Sequence, residues 1–313
     1  MSCKGLSLMS GGLDSQLAIR VLQRAGAEVE AVSFVTPFFD NTKAKAAAEA
    51  LGVKLHVVDF TADEIALIKN PPHGFGGAMN PCIDCHATMI RRAGELMREL
   101  GYDFVATGEV RGQRPMSQNA QALVTVEKTS GLVGRLVRPL SAKLLEPTIP
   151  EIEGKLDREK LLDISGRARD RQIALAAEFG IVDYPSPAGG CKLTEEAFGR
   201  KLKDLMTHEG LDDRTLVELL LVGRRFRLPD GSGVILGRDG RENALLNRTV
   251  AVLSDRHRPA ILLMPPTGTP GPTALIPDLK SEADKALAEG IVKAWCRGTG
   301  DADRAPFKGF QIL

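Results

Sequence analysis

The 313-residue sequence contains no apolar run of about 18 residues, the length that a transmembrane helix needs. It has almost no net charge, because 41 Lys and Arg residues face 40 Asp and Glu residues, so only a local patch could hold nucleic acid. Aromatic residues make up 4% of the chain, which leaves few side chains to stack on bases. The five cysteines are odd in number and no export signal is recognisable. They therefore predict metal-binding or catalytic thiols in a cytoplasmic protein that does not associate with membranes.

The first half of the sequence alternates short apolar runs with segments of helical periodicity. Strands separated by single helices predict a parallel sheet that is covered on both faces, with ligands beyond the carboxyl ends of the strands. The pattern changes near residue 194. The predicted fold class is thus α/β, a Rossmann-like domain over residues 1–193 followed by a smaller α+β domain over residues 194–313.

A glycine loop follows the first predicted strand, with the sequence Ser10-Gly11-Gly12-Leu13-Asp14-Ser15. The two glycines let the backbone approach an anion, and the first N–H groups of the next helix point towards it. Asp14 has the wrong charge for a phosphate unless it holds Mg²⁺, which indicates a metal-chelated nucleotide. The alternative is an ordinary helix N-cap formed by Ser10 or Asp14.

This loop resembles the pyrophosphate-binding motif of the PP-loop ATP pyrophosphatases, which have the fold of the adenine nucleotide α-hydrolases. These enzymes activate a carbonyl or carboxylate as its AMP adduct and release pyrophosphate. The resemblance implies that ATP and Mg²⁺ bind here, with Asp14 organising the metal. The implied ATP-binding residues are Ser10, Gly11, Gly12, Leu13, Asp14, Ser15, Ser33, Phe34 and Gly108.

Further stretches resemble tRNA thiolation enzymes. Residues 106–118 and 137–140 are similar to 4-thiouridine synthases. The segment Asn80-Pro81-Cys82-Ile83-Asp84-Cys85, together with Gly189-Gly190-Cys191, resembles the paired cysteine sites of these enzymes, including the 2-thiouridylases. The resemblance covers about residues 5 to 195. Neither an N-terminal RNA-binding module nor a rhodanese domain is recognisable, so the usual persulfide relay is not implied.

Three chemistries are open for the cysteines, of which Cys82, Cys85 and Cys191 are predicted to be catalytic together with Asp14. The interpretation we favour is that the three thiolates bind a [4Fe-4S] cluster whose fourth iron takes exogenous sulfide. Alternatively, Cys191 carries a persulfide that one cysteine of the CxxC pair resolves as a disulfide. A structural zinc with His86 as a fourth ligand is the third possibility. The glycine- and proline-rich loop from Asn70 to Pro81 is either a mobile cover over this site or a plain connector.

The second half is predicted to combine helices with a hairpin and further strands. Helices are expected from Thr194, from 215 to 222 and from 281 to 295, and strands at 225–228, 234–236, 250–253, 260–264 and 273–276. Residues 224–258 contain eight arginines and four acidic residues, a composition that suits phosphate contacts. Residues 237–246 weakly resemble the RNA-binding R domain of the NFACT family. The predicted RNA-binding residues are Arg224, Arg225, Arg227, Arg238 and Arg241, and the alternative is a solvated face with internal Arg–Asp pairs.

The sequence therefore predicts an ATP-dependent tRNA uridine thiolase, similar above all to 4-thiouridine synthases. A uridine carbonyl would be adenylated with release of pyrophosphate, and sulfur would then displace AMP. The implied partners are tRNA, sulfide or a cysteine-desulfurase-type sulfur donor, and a second copy of the chain if it forms a homodimer. The alternatives are a 2-thiouridylase, a PP-loop ligase that acts on a small molecule, and a non-enzymatic RNA-binding Fe–S protein.

Overall fold

The computed structural model describes residues 3–186, 190–255 and 259–313. Within it the chain forms two compact units, Met1–Lys192 and Leu193–Leu313. Gly189 of the predicted cysteine motif, and Arg256 and Arg258 of the arginine-rich segment, lie outside the described residues. No helix in the described ranges is long and apolar enough to cross a membrane.

The first unit contains a five-stranded parallel sheet, which confirms the predicted α/β fold class. Its strands are β1 Cys3–Leu8, β2 Ala27–Val35, β3 Leu55–Asp59, β4 Phe104–Ala106 and β5 Leu136–Val137. Their order is β3-β2-β1-β4-β5, and every neighbouring pair is parallel. The order reverses between the central β1 and its neighbour β4. A parallel sheet opens a ligand crevice at such a reversal, beyond the carboxyl ends of the two strands.

Helices cover both faces of this sheet. They are α1 Leu13–Arg24, α2 Thr42–Leu51, α3 Thr61–Lys69, α4 Cys82–Leu100, α5 Ala120–Ser130, α6 Ile149–Ile152 and α7 Asp170–Glu178, with short 3-10 turns at Ala142–Leu144, Arg158–Lys160 and Lys192–Thr194. Consecutive residues Phe104 and Val105 belong to apolar clusters on opposite faces, and both side chains are fully buried. Leu17 of α1 packs in the first cluster and Ile90 of α4 in the second. The loops at the carboxyl ends of the strands are therefore the place where polar side chains can collect.

The second unit is built on an antiparallel sheet, in agreement with the predicted α+β pattern. Its strands are β6 Arg224–Arg227, β7 Gly233–Leu236, β8 Ile261–Leu263, β9 Ala274–Ile276 and β10 Gln311–Ile312, in the order β10-β6-β7-β9-β8. The predicted hairpin is present, with Arg227 paired to Gly233. The helices are α8 Glu196–His208, α9 Arg214–Glu218, α10 Gly240–Ser254, α11 Glu282–Ala294 and α12 Asp301–Arg304, with 3-10 turns at Leu219–Leu221 and Ala305–Phe310.

The strand predicted at residues 250–253 is wrong, because this segment is the last part of α10. Asp239 caps the start of α10 by accepting hydrogen bonds from the N–H groups of Arg241 and Glu242, each at 2.9 Å. Leu246 and Leu253, seven residues apart, are fully buried on one helical face. Tertiary packing of this face thus overrides the β propensity of the two valines in the segment.

Candidate functional site

The glycine loop lies at the carboxyl end of β1 and runs directly into α1. Gly11 has a φ of +79°, and a Cβ at this position would lie 2.4 Å from the backbone carbonyl carbon of Lys43, so no other residue fits without a shift. The N-cap of α1 is Gly12, which has no side-chain capping bond. Ser10 accepts the Gly12 N–H at 3.3 Å, and Ser15 donates to the Gly12 carbonyl at 2.8 Å. The alternative in which Ser10 or Asp14 caps α1 is thus not the arrangement found, and the helix N-terminus is left to a ligand.

The loop after β4 presses against this turn. A Cβ on Gly108 would lie 2.6 Å from the backbone carbonyl of Asp14 and 2.7 Å from the backbone nitrogen of Ser15. Gly108 therefore lies against the first turn of α1, at the sheet position where the strand order reverses. Ser33 and Phe34 lie near the carboxyl end of β2, and both side chains are buried. The Phe34 ring packs edge-on against Phe60, with centroids 5.5 Å apart.

Asp14 has one carboxylate oxygen in a hydrogen bond and one that is buried without a partner. Gln113 donates to Oδ2 at 2.8 Å, and Gln172 in turn donates to the side-chain oxygen of Gln113 at 3.3 Å. Oδ1 has no hydrogen-bond partner within the described part of the chain. Protein-bound Mg²⁺ is commonly held by one or two carboxylates together with substrate phosphates, so Asp14 fits this role. Gln172 was missed by sequence analysis, because its link to the loop is made only by the tertiary fold.

The CxxC pair occupies the first turn of α4, but its two thiols have different surroundings. Cys82 is half-buried, and Asn80 Nδ2 donates a hydrogen bond to its Sγ at 3.1 Å. Cys85 is buried and donates its S–H to Oε2 of Glu64 at 3.1 Å. Burial raises the pKa of the Cys85 thiol, the Glu64 carboxyl raises it further, and the Cys191 and Cys82 thiols lie near enough to add to the shift. The first turn of α4 thus presents one thiol outwards and one inwards.

Cys191 lies in the same neighbourhood, although it follows the pair by more than a hundred residues. The N–H of the next residue, Lys192, donates to the carbonyl of Phe38 at 3.1 Å, which holds the chain beside the loop that follows β2. Cys191 adds to the upward shift of the Cys85 pKa, so the two residues are near enough to interact electrostatically. All three cysteines that the sequence motifs singled out lie in the first unit.

Within the described ranges, the structure does not show a ligand set for the predicted [4Fe-4S] cluster. Among the residues that the structure describes, no group of three or more His, Cys, Asp or Glu side chains is arranged to hold a metal ion. The Cys85 thiol is instead engaged with Glu64. The same holds for a zinc site with His86 as fourth ligand, since no such group is arranged among the described residues; His86 Nδ1 lies 3.5 Å from Oε1 of Glu109.

Two buried carboxyls border the site, and they ionise differently. Burial raises the pKa of Glu64 to about 7, in spite of the hydrogen bond from Cys85 and the nearby His86. Burial also opposes ionisation of Glu109, but the Arg138 guanidinium and His86 together lower the pKa of Glu109 to about 2. Arg138 Nε and the Thr107 hydroxyl each donate to Oε2 of Glu109 at 3.0 Å. Glu109 is thus a structural anion beside Gly108.

Sequence analysis missed Glu64, which is fully buried on α3. A signal was available, because Thr61, Glu64 and Ile68 recur at helical spacing on the one buried stripe of this helix. A glutamate on a buried stripe needs a polar partner, and the partner found here is a cysteine.

The glycine- and proline-rich loop before α4 is tied to the cysteine helix. The backbone N–H of His73 donates to Oδ2 of Asp84 at 3.0 Å, and His73 Nδ1 lies 2.6 Å from Oδ1 of the same carboxylate. Asp84 is buried between the two cysteines of the CxxC motif. The loop is thereby anchored at His73 to the helix that carries the thiols.

The structure contradicts part of the predicted RNA-binding set in the second unit. Arg225 is 3% exposed and pairs with Asp204 at 3.1 Å and Glu209 at 3.4 Å. Arg227 pairs with the same two carboxylates, each at 2.7 Å. The prediction that these two arginines contact RNA is wrong, because their charge is already neutralised in a buried network.

The other arginines of this set are more accessible. Arg238 is exposed but pairs with Glu242, and Arg224 is half-buried. Arg241 is exposed on α10, and Arg248 is exposed two turns further along the same helix. Residues seven apart lie on one side of a helix, so Arg241 and Arg248 form a short basic stripe.

A parallel sheet in this order, with a glycine loop between its first strand and the next helix, defines a Rossmann-like domain whose ligand crevice lies at that loop. The sequence model of the ThiI family, described as thiamine biosynthesis protein (ThiI), matches residues 1–143. The tRNA-specific 2-thiouridylase MnmA of Marinobacter nauticus is 32% identical over 216 residues, which cover 63% of this chain and 52% of the relative. A probable tRNA sulfurtransferase of Anoxybacillus flavithermus is 28% identical over 148 residues, which cover 44% of this chain and 35% of the relative.

Among solved structures, a 4-thiouridine synthetase–RNA complex with bound ATP aligns at 22% identity and a TM-score of 0.37, over 57% of this chain and 52% of that one. The sequence matches confirm the resemblance to the PP-loop tRNA thiolation enzymes. The chain spans about a third to a half of the length of the curated relatives it matches. The match to the family model ends at residue 143, before the second unit begins.

Proposed function

We propose that this chain is an ATP-dependent tRNA sulfurtransferase that converts a uridine to thiouridine. The observation that supports it is a set of features in the first unit: a glycine turn at the uncapped start of α1, the Asp14 carboxylate with a buried oxygen that lacks a hydrogen-bond partner among the described residues, and the three cysteines. ATP would place its β- and γ-phosphates on the backbone of Gly11 and Gly12, where the N-terminal N–H groups of α1 stabilise the leaving pyrophosphate. Mg²⁺ bound at Asp14 would neutralise phosphate charge.

The chemistry proceeds in successive displacements. The carbonyl oxygen of the uridine attacks the α-phosphate, the bond to the β-phosphate breaks, and pyrophosphate leaves. The terminal sulfur of a cysteine persulfide then attacks the activated ring carbon, and AMP leaves with the former carbonyl oxygen. A second cysteine thiol attacks the cysteine sulfur of the adduct, the sulfur–sulfur bond to the base breaks, and the two cysteines are left as a disulfide that a thiol reductant must reduce before the next turnover. The base must be turned out of its stack to reach the site. The predicted [4Fe-4S] cluster stays a prediction, and the thiol arrangement favours a sulfur atom carried on cysteine.

The position of the sulfur is proposed as C4, as in the 4-thiouridine synthases that the motifs resemble. The 2-thiouridylase relative, which aligns over 63% of this chain, makes C2 the second candidate. The sulfur donor is proposed to be sulfide or a cysteine-desulfurase system. Cytoplasmic location and a homodimer stay predictions from the sequence.

The test is reconstitution with purified chain, unmodified tRNA, Mg-ATP and either inorganic sulfide or a cysteine desulfurase with cysteine. We expect pyrophosphate and AMP in equal amounts, and thiouridine in the digested tRNA. Liquid chromatography coupled to mass spectrometry distinguishes the 2-thio and 4-thio isomers by their retention times. Asp14→Asn should lower pyrophosphate release about a hundredfold or more, because several kcal/mol of phosphate charge stabilisation are removed.

Cys191→Ser should retain ATP–pyrophosphate exchange and lose thiouridine formation from the desulfurase. Cys296→Ser is the matched control, since Cys296 lies in the second unit with its thiol donating to the Val292 carbonyl at 3.3 Å. Absence of thiouridine with both donors, or full activity in Cys191→Ser, would refute the proposal. Iron analysis after anaerobic purification tests the cluster directly: about four irons per chain would favour it over a thiol-borne sulfur.

A further inference from the structure

Glu64 is a fully buried carboxyl whose contact with Cys85 is not used by the mechanism above. One oxygen accepts the Cys85 S–H at 3.1 Å, and the other is buried with no hydrogen-bond partner among the described residues. Burying a carboxyl costs free energy unless its oxygens are hydrogen-bonded, and only one oxygen of Glu64 has a partner in the described part of the chain. Because the hydrogen bond of Glu64 goes to the Cys85 thiol, we expect Glu64 to affect the reactivity of that thiol.

The second observation is the difference between the two thiols of the CxxC pair. Cys82 is half-buried, stands at the first residue of the 19-residue helix α4, and accepts a hydrogen bond from Asn80 Nδ2 at 3.1 Å. Cys85, one turn later, is buried and donates its S–H to a carboxyl. Of the two, Cys82 is therefore the thiol that is accessible and that is not held by a carboxyl.

We propose that Glu64 is a positioning residue that fixes the Cys85 thiol in a buried hydrogen bond, so that Cys82 is the first cysteine of the pair to react. This inference rests on the proposed sulfurtransferase function. The first step assigned to Cys82 is attack by its thiolate on the terminal sulfur of an organic persulfide. The sulfur–sulfur bond of the donor breaks, a new one forms on Cys82, and the donor leaves as a thiolate, so there is no net oxidation.

The hydrogen bond also makes Cys85 the second cysteine of the pair to react. As long as Cys85 donates to Glu64, its sulfur is not available to attack the sulfur carried by its neighbour. Release of Cys85 from Glu64 is then the event that allows the second thiol to act. Glu64 thus sets the order in which two chemically identical side chains react.

The test is alkylation of the full-length, reduced chain with iodoacetamide at one fixed near-neutral pH, followed by mass spectrometry of the separate cysteine sites over time. In the unsubstituted protein Cys82 should be modified before Cys85. In Glu64→Leu the Cys85 rate should rise about tenfold, the factor that corresponds to loss of a hydrogen bond of about 1.4 kcal/mol. In Glu64→Gln, whose side-chain oxygen can still accept the S–H, the rise should be smaller.

Glu95→Gln is the matched control, because Glu95 lies on α4 and pairs with Arg91 and Arg92 instead of a thiol, while the charge change is the same. Equal rates for Cys82 and Cys85 in the unsubstituted chain would overturn the proposal, and so would an unchanged Cys85 rate in both Glu64 variants. If Glu64→Leu fails to fold, equal alkylation rates in the unsubstituted chain, or a persulfide donor that loads Cys85 before Cys82, still overturn the proposal. A persulfide donor added to the unsubstituted chain should place the additional sulfur on Cys82 first. The alkylation assay needs neither ATP nor tRNA, so its outcome is separate from that of the thiolation assay.

Discussion

Glu109 shows how much the state of a single carboxyl depends on its partners. Burial alone would keep it neutral, but Arg138 and His86 lower its pKa to about 2. Glu64, equally buried and without a cationic hydrogen-bond partner among the described residues, has its pKa raised to about 7. Two glutamates of one site are therefore opposite in charge preference, and the cause in each case is the neighbouring side chain.

The depressed pKa of Glu109 predicts a defined pH dependence of stability. The folded-state pKa of about 2 lies below the ordinary glutamate pKa of 4.5, so the stabilisation is complete above pH 4.5 and disappears as the pH falls towards 2. The difference corresponds to about 3 kcal/mol at neutral pH. Glu109→Gln should lower the free energy of unfolding by about that amount near neutral pH, and by less than half as much at about pH 3.

Urea unfolding at the two pH values measures this effect. Glu99→Gln, which removes the same charge from an exposed position near the end of α4, should change the free energy of unfolding by less than about 0.5 kcal/mol at either pH. A decrease in Glu109→Gln that is the same at both pH values would show that packing, and not the ion pair, accounts for it.

Sequence analysis identified the residues of the glycine loop and the three cysteines because each belongs to a short contiguous motif. It could not supply their partners. Gln172 donates a hydrogen bond to Gln113, the partner of Asp14, and Glu64 accepts one from Cys85. These partners are far apart in the sequence and are brought together only by folding. The surroundings that decide which thiol reacts were thus beyond the reach of a motif.

At the scale of the secondary-structure elements, the parallel sheet could be predicted because single helices separate its strands, and such connections allow few topologies. The error at residues 250–253 has a local cause. Two valines in four residues favour a strand, whereas the buried stripe of Leu246 and Leu253 belongs to a helix already started by the cap at Asp239. Propensity is a weak guide wherever a cap and a buried face agree with each other.

The contact between the β4 loop and the start of α1 predicts a specific effect at Gly108. In Gly108→Ala the new methyl group would meet the Asp14 carbonyl at 2.6 Å, and backbone cannot yield as a flexible side chain does. We expect the free energy of unfolding to fall by about 1–3 kcal/mol and ATP binding to weaken, because the glycine turn must shift.

Calorimetric titration with Mg-ATP and urea unfolding measure the two effects. Gly240→Ala serves as control, since a Cβ at Gly240 would meet nothing within 4 Å and the position has no positive φ. Wild-type ATP affinity in Gly108→Ala would show that the nucleotide does not use this turn.

At the scale of the whole molecule, the number of arginines in residues 224–258 overestimates the positive charge that is available to bind phosphate. Arg225 and Arg227 alternate with Phe226 on β6, and their partners Asp204 and Glu209 come from α8 and the residue that ends it. The four charges cancel inside the fold. The alternative of internal ion pairs therefore describes these two arginines, and of the predicted RNA-binding set Arg224, Arg238 and Arg241 stay as candidates.

Of the arginine-rich segment in the second unit, Arg241 and Arg248 are both exposed on α10. If this stripe binds tRNA, the double variant Arg241→Ala/Arg248→Ala should weaken tRNA binding and reduce the slope of log affinity against log salt by about 2, because each phosphate that a cation neutralises adds about one to that slope. Affinity for Mg-ATP should not change, because the glycine turn belongs to the first unit.

Filter binding over a series of salt concentrations gives the slope. Arg297→Ala/Lys308→Ala removes two exposed positive charges elsewhere in the same unit and is the matched control. An unchanged slope in the α10 variant would assign tRNA binding to the first unit. The same decrease in the control variant would assign it to general charge, because counterion release depends on the number of phosphates that cations neutralise.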